Sequence, residues 1–207
     1  MSARRLRAHA AATLLLVLTA CAPLPLRTTP GTAAEMAAQT ARERALAGVA
    51  RFALEGRIGV SDGRDGRDGG SGGFTWKQDG AALDFTVRAP ITGRSFRLET
   101  GPDGACLEGL KPQPQCAADA ESLLIAQLGW HLPLADLRAW AMGLRAPGSA
   151  AQLAFGLDGL PATLDQDGWH VEYRDWDRAR SPVLPRAIFA RKPPYSVRLY
   201  VEHWELP

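Results

Sequence analysis

Three cysteines in 207 residues are too few for a disulfide-built scaffold. No apolar run approaches the ~20 residues that a membrane helix needs. No large excess of either charge exists, since 24 Lys and Arg stand against 22 Asp and Glu. Chemistry is equally sparse. No G-x-S-x-G elbow, HxH or HExxH pattern occurs, and scattered acids such as Asp175 and Asp177 do not form a recognisable glycosidase pair. Four histidines occur, and the three beyond residue 20, His131, His170 and His203, fall in separate elements, so the sequence predicts no metal site and no cofactor. Nothing in it speaks for an enzyme.

What is present begins at the N-terminus. Arg4, Arg5 and Arg7 precede an apolar stretch from Ala10 to Leu18, which ends in Leu18-Thr19-Ala20-Cys21. A basic start, a short apolar segment and small residues leading into a cysteine read as a lipoprotein signal peptide over residues 1–20. Cys21 is then the lipid attachment point, with several acyl chains holding the mature protein to a membrane. Removing the three arginines of the signal from the 24 basic residues leaves 21 against 22 acids, so the mature chain is near neutral. Its basic isoelectric point is no argument for nucleic-acid binding.

Residues 21–34 are rich in Pro, Thr and Ala and read as a lipidated tether, which leaves 35–207 as one domain. An Ala-rich segment from Glu35 to Val49 predicts an edge helix. Beyond it the hydrophobic period becomes two. Phe52, Leu54, Gly56, Ile58 and Val60 alternate with Arg51, Glu55 and Arg57, and the pattern returns at Phe74 to Gln78, Leu83 to Arg88 and Phe96 to Glu99. Further strands are expected at 162–167, 169–173, 184–191 and 195–206, with Asp167-Gly168 as a hairpin turn. The polar run Ser61 to Gly73 reads as a hairpin connection. Its Asp62, Asp65 and Asp68 recur every third residue, unlike the ligands of a calcium loop, and no helix follows to form a phosphate cradle.

Two helices are expected inside the sheet. Asp119 caps the first, which carries Ala120, Leu123, Leu124 and Leu128 and closes at Gly129. Pro133 opens the second, which carries Leu134, Leu137, Trp140 and Ala141 and ends at Gly143. Cys106 and Cys116 flank a proline-containing turn. They suit a disulfide in an oxidising compartment or a pair of small buried thiols, and they lack the C-x-x-C spacing of a redox centre. The six tryptophans suit either a packed core or the wall of an apolar pocket.

Taken in order, these stretches resemble the LolB family of outer-membrane lipoproteins over nearly the whole mature length. The matching segments are Phe52-Ala53-Leu54-Glu55-Gly56-Arg57-Ile58, Gly73-Phe74-Thr75-Trp76-Lys77-Gln78 and Pro90-Ile91-Thr92-Gly93. Asp119-Ala120-Glu121, Leu132-Pro133-Leu134, Leu137-Arg138-Ala139-Trp140, Asp167-Gly168-Trp169 and Trp204-Glu205-Leu206 continue the series. The glycine-rich run and the cysteine pair depart from the family's pattern.

The resemblance implies a mainly β (α+β) fold, an incomplete antiparallel barrel covered by helices around a hydrophobic cavity. Leu54, Ile58, Trp76, Phe85, Val87, Phe96, Leu124, Leu137, Trp140 and Tyr173 are the expected cavity residues. A loop at Pro90 and Ile91 is expected to present an apolar side chain to lipid. The implied partners are a LolA-type periplasmic carrier, triacylated lipoproteins as cargo and outer-membrane lipids, with the protein a monomer facing the periplasm. Ala22 in place of Asp agrees with sorting to the outer membrane. Two other readings are a lipoprotein of like build that binds a free lipid or glycolipid, and a structural envelope lipoprotein with a solid core.

Overall fold

The computed structural model describes residues 28–63, 69–89 and 95–207. Among them lies one twelve-stranded sheet. Its strands are β1 (Thr29–Pro30), β2 (Arg51–Ser61), β3 (Gly69–Asp79), β4 (Ala82–Arg88), β5 (Ser95–Gly101) and β6 (Gly104–Glu108), followed by β7 (Gln115–Ala117), β8 (Ala151–Phe155), β9 (Pro161–Gln166), β10 (Trp169–Asp177), β11 (Leu184–Lys192) and β12 (Tyr195–Glu205). They run in the spatial order β1-β8-β9-β10-β11-β12-β2-β3-β4-β5-β6-β7, and every neighbouring pair is antiparallel. The outermost strands β1 and β7 do not pair with each other, so the curved sheet remains an unclosed barrel.

The alternation seen in the sequence decides which face is buried. In β2, Phe52, Leu54, Ile58 and Val60 are buried while Arg51, Glu55 and Arg57 are exposed. β4 repeats this with Leu83, Phe85 and Val87. One apolar face per strand is what a half-buried antiparallel sheet requires. That face packs against the helices, and all six tryptophans are buried.

Helix α1 (Ala33–Leu46) starts at a reciprocal cap, in which Thr32 accepts the Glu35 N–H and the Glu35 side chain accepts the Thr32 N–H. Helix α2 (Ala120–Leu128) is capped by Asp119, whose carboxylate accepts the Ser122 N–H at 2.7 Å, and closes at Gly129 in the left-handed region at φ 69°. Helix α3 (Leu134–Ala141) follows after five residues, 129–133. Pro133 is its N-cap residue rather than its first helical residue, and it offers no side-chain cap.

Several elements differ from the sequence reading. The glycine-rich run is shorter as a loop than expected, because Ser61 closes β2 and Gly69 to Gly73 open β3, paired from Ser61↔Gly69 to Arg57↔Gly73. At Gly70 an added Cβ would stand 2.4 Å from the Trp130 ring, so a residue without a side chain lets the indole pack on the strand. The expected tether is partly structured, with Thr29–Pro30 forming β1 against β8 and Thr32 capping α1. Helix α1 ends at Leu46, not Val49. β8 itself was not foreseen.

Cys106 and Cys116 sit opposite each other on β6 and β7 and form a disulfide on the outer side of the sheet. Among the described residues no helix is long and apolar enough to cross a membrane.

Candidate functional site, an apolar pocket under the helices

A pocket of about 780 Å³ lies between the sheet and the helices. Its floor is Trp76, Gln78, Leu83 and Thr100 from β3, β4 and β5. Its roof is α3, through Leu134, Ala135 and Ala139, with Met142 and Leu144 beyond it, while Leu46, Ala47 and Val49 close one side at the end of α1. Apolar surface predominates on this wall, and the volume falls in the ~300–1,000 Å³ range of pockets that enclose small ligands.

Polar groups gather at the margin, and each is tied down. Gln78 accepts the Trp76 indole N–H at 3.0 Å and donates to the carbonyls of Gly80 and Ala82, which fixes the indole in the floor. Arg138 donates to the Gly80 carbonyl at 2.8 Å, joining α3 to the β3–β4 turn. On the opposite margin Arg145 grips Glu43 through Nε and Nη2 at 2.8 and 2.6 Å. Burial pushes the Glu43 carboxyl up, but the Arg145 guanidinium and the Gln39 amide more than offset this and hold it below its ordinary value. Glu121 is shifted the other way, its carboxyl raised chiefly by burial.

The structure distributes the expected cavity residues unevenly. Trp76 lines the pocket; the other nine do not. Leu54, Ile58, Phe85, Val87 and Phe96 cover the inner face of the sheet inside the packed core, and Leu124, Leu137 and Trp140 fill the space beneath α2 and α3. Tyr173 borders a second, smaller hollow of about 450 Å³ by the β8–β9 turn. Burial raises its phenol far above the ordinary value, and its hydroxyl has no hydrogen-bond partner among the described residues. The expected lipid site Cys21 and the loop residues Pro90 and Ile91 lie outside the described residues.

Sequence reasoning overlooked the small residues and the charged margin. Ala47, Ala81, Ala120, Ala135 and Ala139 line the pocket because they leave it unfilled. Glu43 and Arg145 are 102 positions apart, and no local spacing announces their pairing. Among the described residues no group of three His, Cys, Asp or Glu is placed to hold a metal ion. His170 pairs with Asp165 at 2.6 Å on the outer face, and His131 stacks on Tyr195.

The described residues thus build an unclosed antiparallel barrel whose helices roof a largely apolar pocket. Residues 50–204 match the family model described as outer membrane lipoprotein LolB. The chain is 38% identical over 174 residues to the outer-membrane lipoprotein LolB of Xanthomonas campestris pv. campestris (strain 8004), covering 82% of this chain and 78% of that protein. It is 35% identical over 204 residues to the protein of the same name from Alkalilimnicola ehrlichii, covering 98% of both. The chain belongs to the LolB family.

Proposed function

We propose that this protein is anchored to the outer membrane through lipid on Cys21, faces the periplasm, receives triacylated lipoproteins from a LolA-type carrier and passes them into the membrane. The observation that carries this reading is the apolar pocket of about 780 Å³ beneath the helices of an unclosed barrel. Exposing an acyl chain to water costs about 0.8 kcal/mol per methylene, so cargo crosses an aqueous compartment only while its chains stay covered. A pocket open to one side covers them without a covalent step. Transfer then runs downhill, from carrier to this pocket to bilayer, if each successor solvates the chains better.

The Pro90-Ile91 loop joins β4 to β5, and family resemblance gives it the task of passing chains to lipid. Ile91→Glu places a charge at that point in the chain. The variant is expected to fold with an unchanged urea midpoint, to accept lipoprotein from the carrier and to fail to insert it into liposomes. Insertion at the wild-type rate would remove the loop from the mechanism.

A further inference from the structure

We propose that Leu157, at the tip of the β8–β9 hairpin, is a second contact with the bilayer that holds the lipid on Cys21; the inference rests on that anchor. Leu157 is 85% exposed, while the other exposed large apolar residues among the described ones, Leu110, Ile125 and Tyr200, lie between 36% and 41%. The tip is not loose. Gly156 donates to the Leu160 carbonyl at 2.9 Å, Gly159 donates to the Gly156 carbonyl at 3.0 Å, and the Asp158 carboxylate accepts the Leu160 N–H. A well-bonded turn therefore holds an apolar side chain out in the solvent. Arg178, paired with Asp158, brings a guanidinium to the same tip, a group suited to an anionic headgroup.

The path of the chain supplies the occupant. β1 pairs antiparallel with β8, Thr29 opposite Phe155 and Pro30 opposite Ala154, so the chain upstream of Thr29 leaves at the end where the β8–β9 hairpin turns. Eight Cα–Cα steps lead from Cys21 to Thr29 and span at most ~28 Å when fully extended. A lipid on Cys21 keeps this end of the domain close to the membrane. One leucine is a weak membrane ligand alone, but the anchor makes its encounter intramolecular and raises its effective concentration.

Antiparallel pairing across the sheet puts the β4–β5 connection at the opposite end of the strands.

The test uses the full acylated protein with Leu157→Cys, whose new thiol is free because Cys21 is lipidated and Cys106 is bridged to Cys116. An environment-sensitive fluorophore is attached there, with Lys111→Cys, in the exposed β6–β7 connection at the other end, as the comparison. On phosphatidylethanolamine/phosphatidylglycerol vesicles the label at 157 is expected to shift to the blue and to be quenched by nitroxide-bearing lipid, while the label at 111 stays unchanged. Four outcomes overturn the proposal. A label at 157 as wet as that at 111, on protein that floats with the vesicles, rejects the contact and leaves the anchor standing. Equal quenching at both positions means a domain lying flat. A response at 157 to the carrier protein alone makes the tip a protein-docking point. Protein that fails to float removes the anchor, and the contact with it.

Discussion

Gln166 shows how one buried polar residue holds the helical layer to the sheet. It is 3% exposed and sits at the end of β9. Its Oε1 accepts the Trp140 indole N–H at 3.0 Å and the Ala146 N–H at 2.9 Å, while its Nε2 donates to the Ala146 carbonyl and the Ser149 hydroxyl, both at 2.8 Å. Replacing the amide by an apolar side chain of similar size strands an indole N–H and a peptide group inside the core. At ~1–3 kcal/mol for each buried group left without a partner, Gln166→Leu is expected to lose about 3 kcal/mol of stability. A fall in the urea midpoint at constant slope would register it. Gln166→Glu, measured in acid where its carboxyl is protonated and so keeps both an acceptor for the N–H groups and an O–H for the Ala146 carbonyl, should lose less. Equal losses would show that packing volume, not hydrogen bonding, fixes this site. Trp140 reads from sequence as an apolar helix residue with no hint of its partner, because the contact spans 26 positions.

Among the elements, the junction of α2 and α3 makes a pH-dependent prediction. Pro133 brings no side chain to the N-terminus of α3, and Glu121 of α2 takes over, its carboxylate accepting the Ala135 N–H at 3.3 Å. Burial raises the Glu121 carboxyl, with smaller pushes from Asp119 and Asp136, and the N–H groups of Ala135 and Leu134 recover only part of the shift. The folded chain therefore keeps this proton to a higher pH than the unfolded chain. Below the ordinary value of 4.5 the carboxyl is neutral in both states and costs nothing. As pH rises through the folded value the native state binds more protons than the unfolded one, and stability falls. Glu121→Gln keeps an acceptor at the helix end and removes the titration. The difference in stability, variant minus wild type, should grow from pH 4 to neutrality, as measured by urea unfolding at each pH. A flat difference would mean that Glu121 is solvated. Other carboxylates such as Glu43 and Asp84 are shifted downward and act in the opposite sense, so only the difference is diagnostic. The elements were largely legible: alternation marked β2, β3 and β4, and Asp119 with Gly129 bracketed α2. β8 was not, because Ala151-Gln-Leu-Ala-Phe155 carries a weak period and only Phe155 is fully buried. Nor was β1, two residues whose only reason for being a strand is the edge of β8.

For the whole molecule, the unclosed barrel has two interiors, one filled and one hollow, and the sequence marks only the first. Large residues spaced for a common face predict burial, and Leu54, Phe85, Leu124 and Trp140 are indeed buried in the packed core. A hollow is written in the reverse manner, as small residues facing a place where large ones could stand, and that facing is known only once the helices are set on the sheet. Ala139 is such a residue, on the α3 side that roofs the pocket. Ala139→Phe directs a ring into the space that the proposed function assigns to acyl chains. Filling existing space adds apolar contact, so stability should stay within ~1.5 kcal/mol of wild type, while displacement of a bound apolar dye by an acylated peptide should be lost. Leu124→Ala does the opposite: it removes a fully buried side chain from the filled interior, costing about 2–5 kcal/mol, yet leaves acyl binding near the wild-type level wherever the protein remains folded. The two variants together separate cargo space from structural core. If Ala139→Phe bound acylated peptide as well as the wild type, the chains would have to be held elsewhere in the molecule.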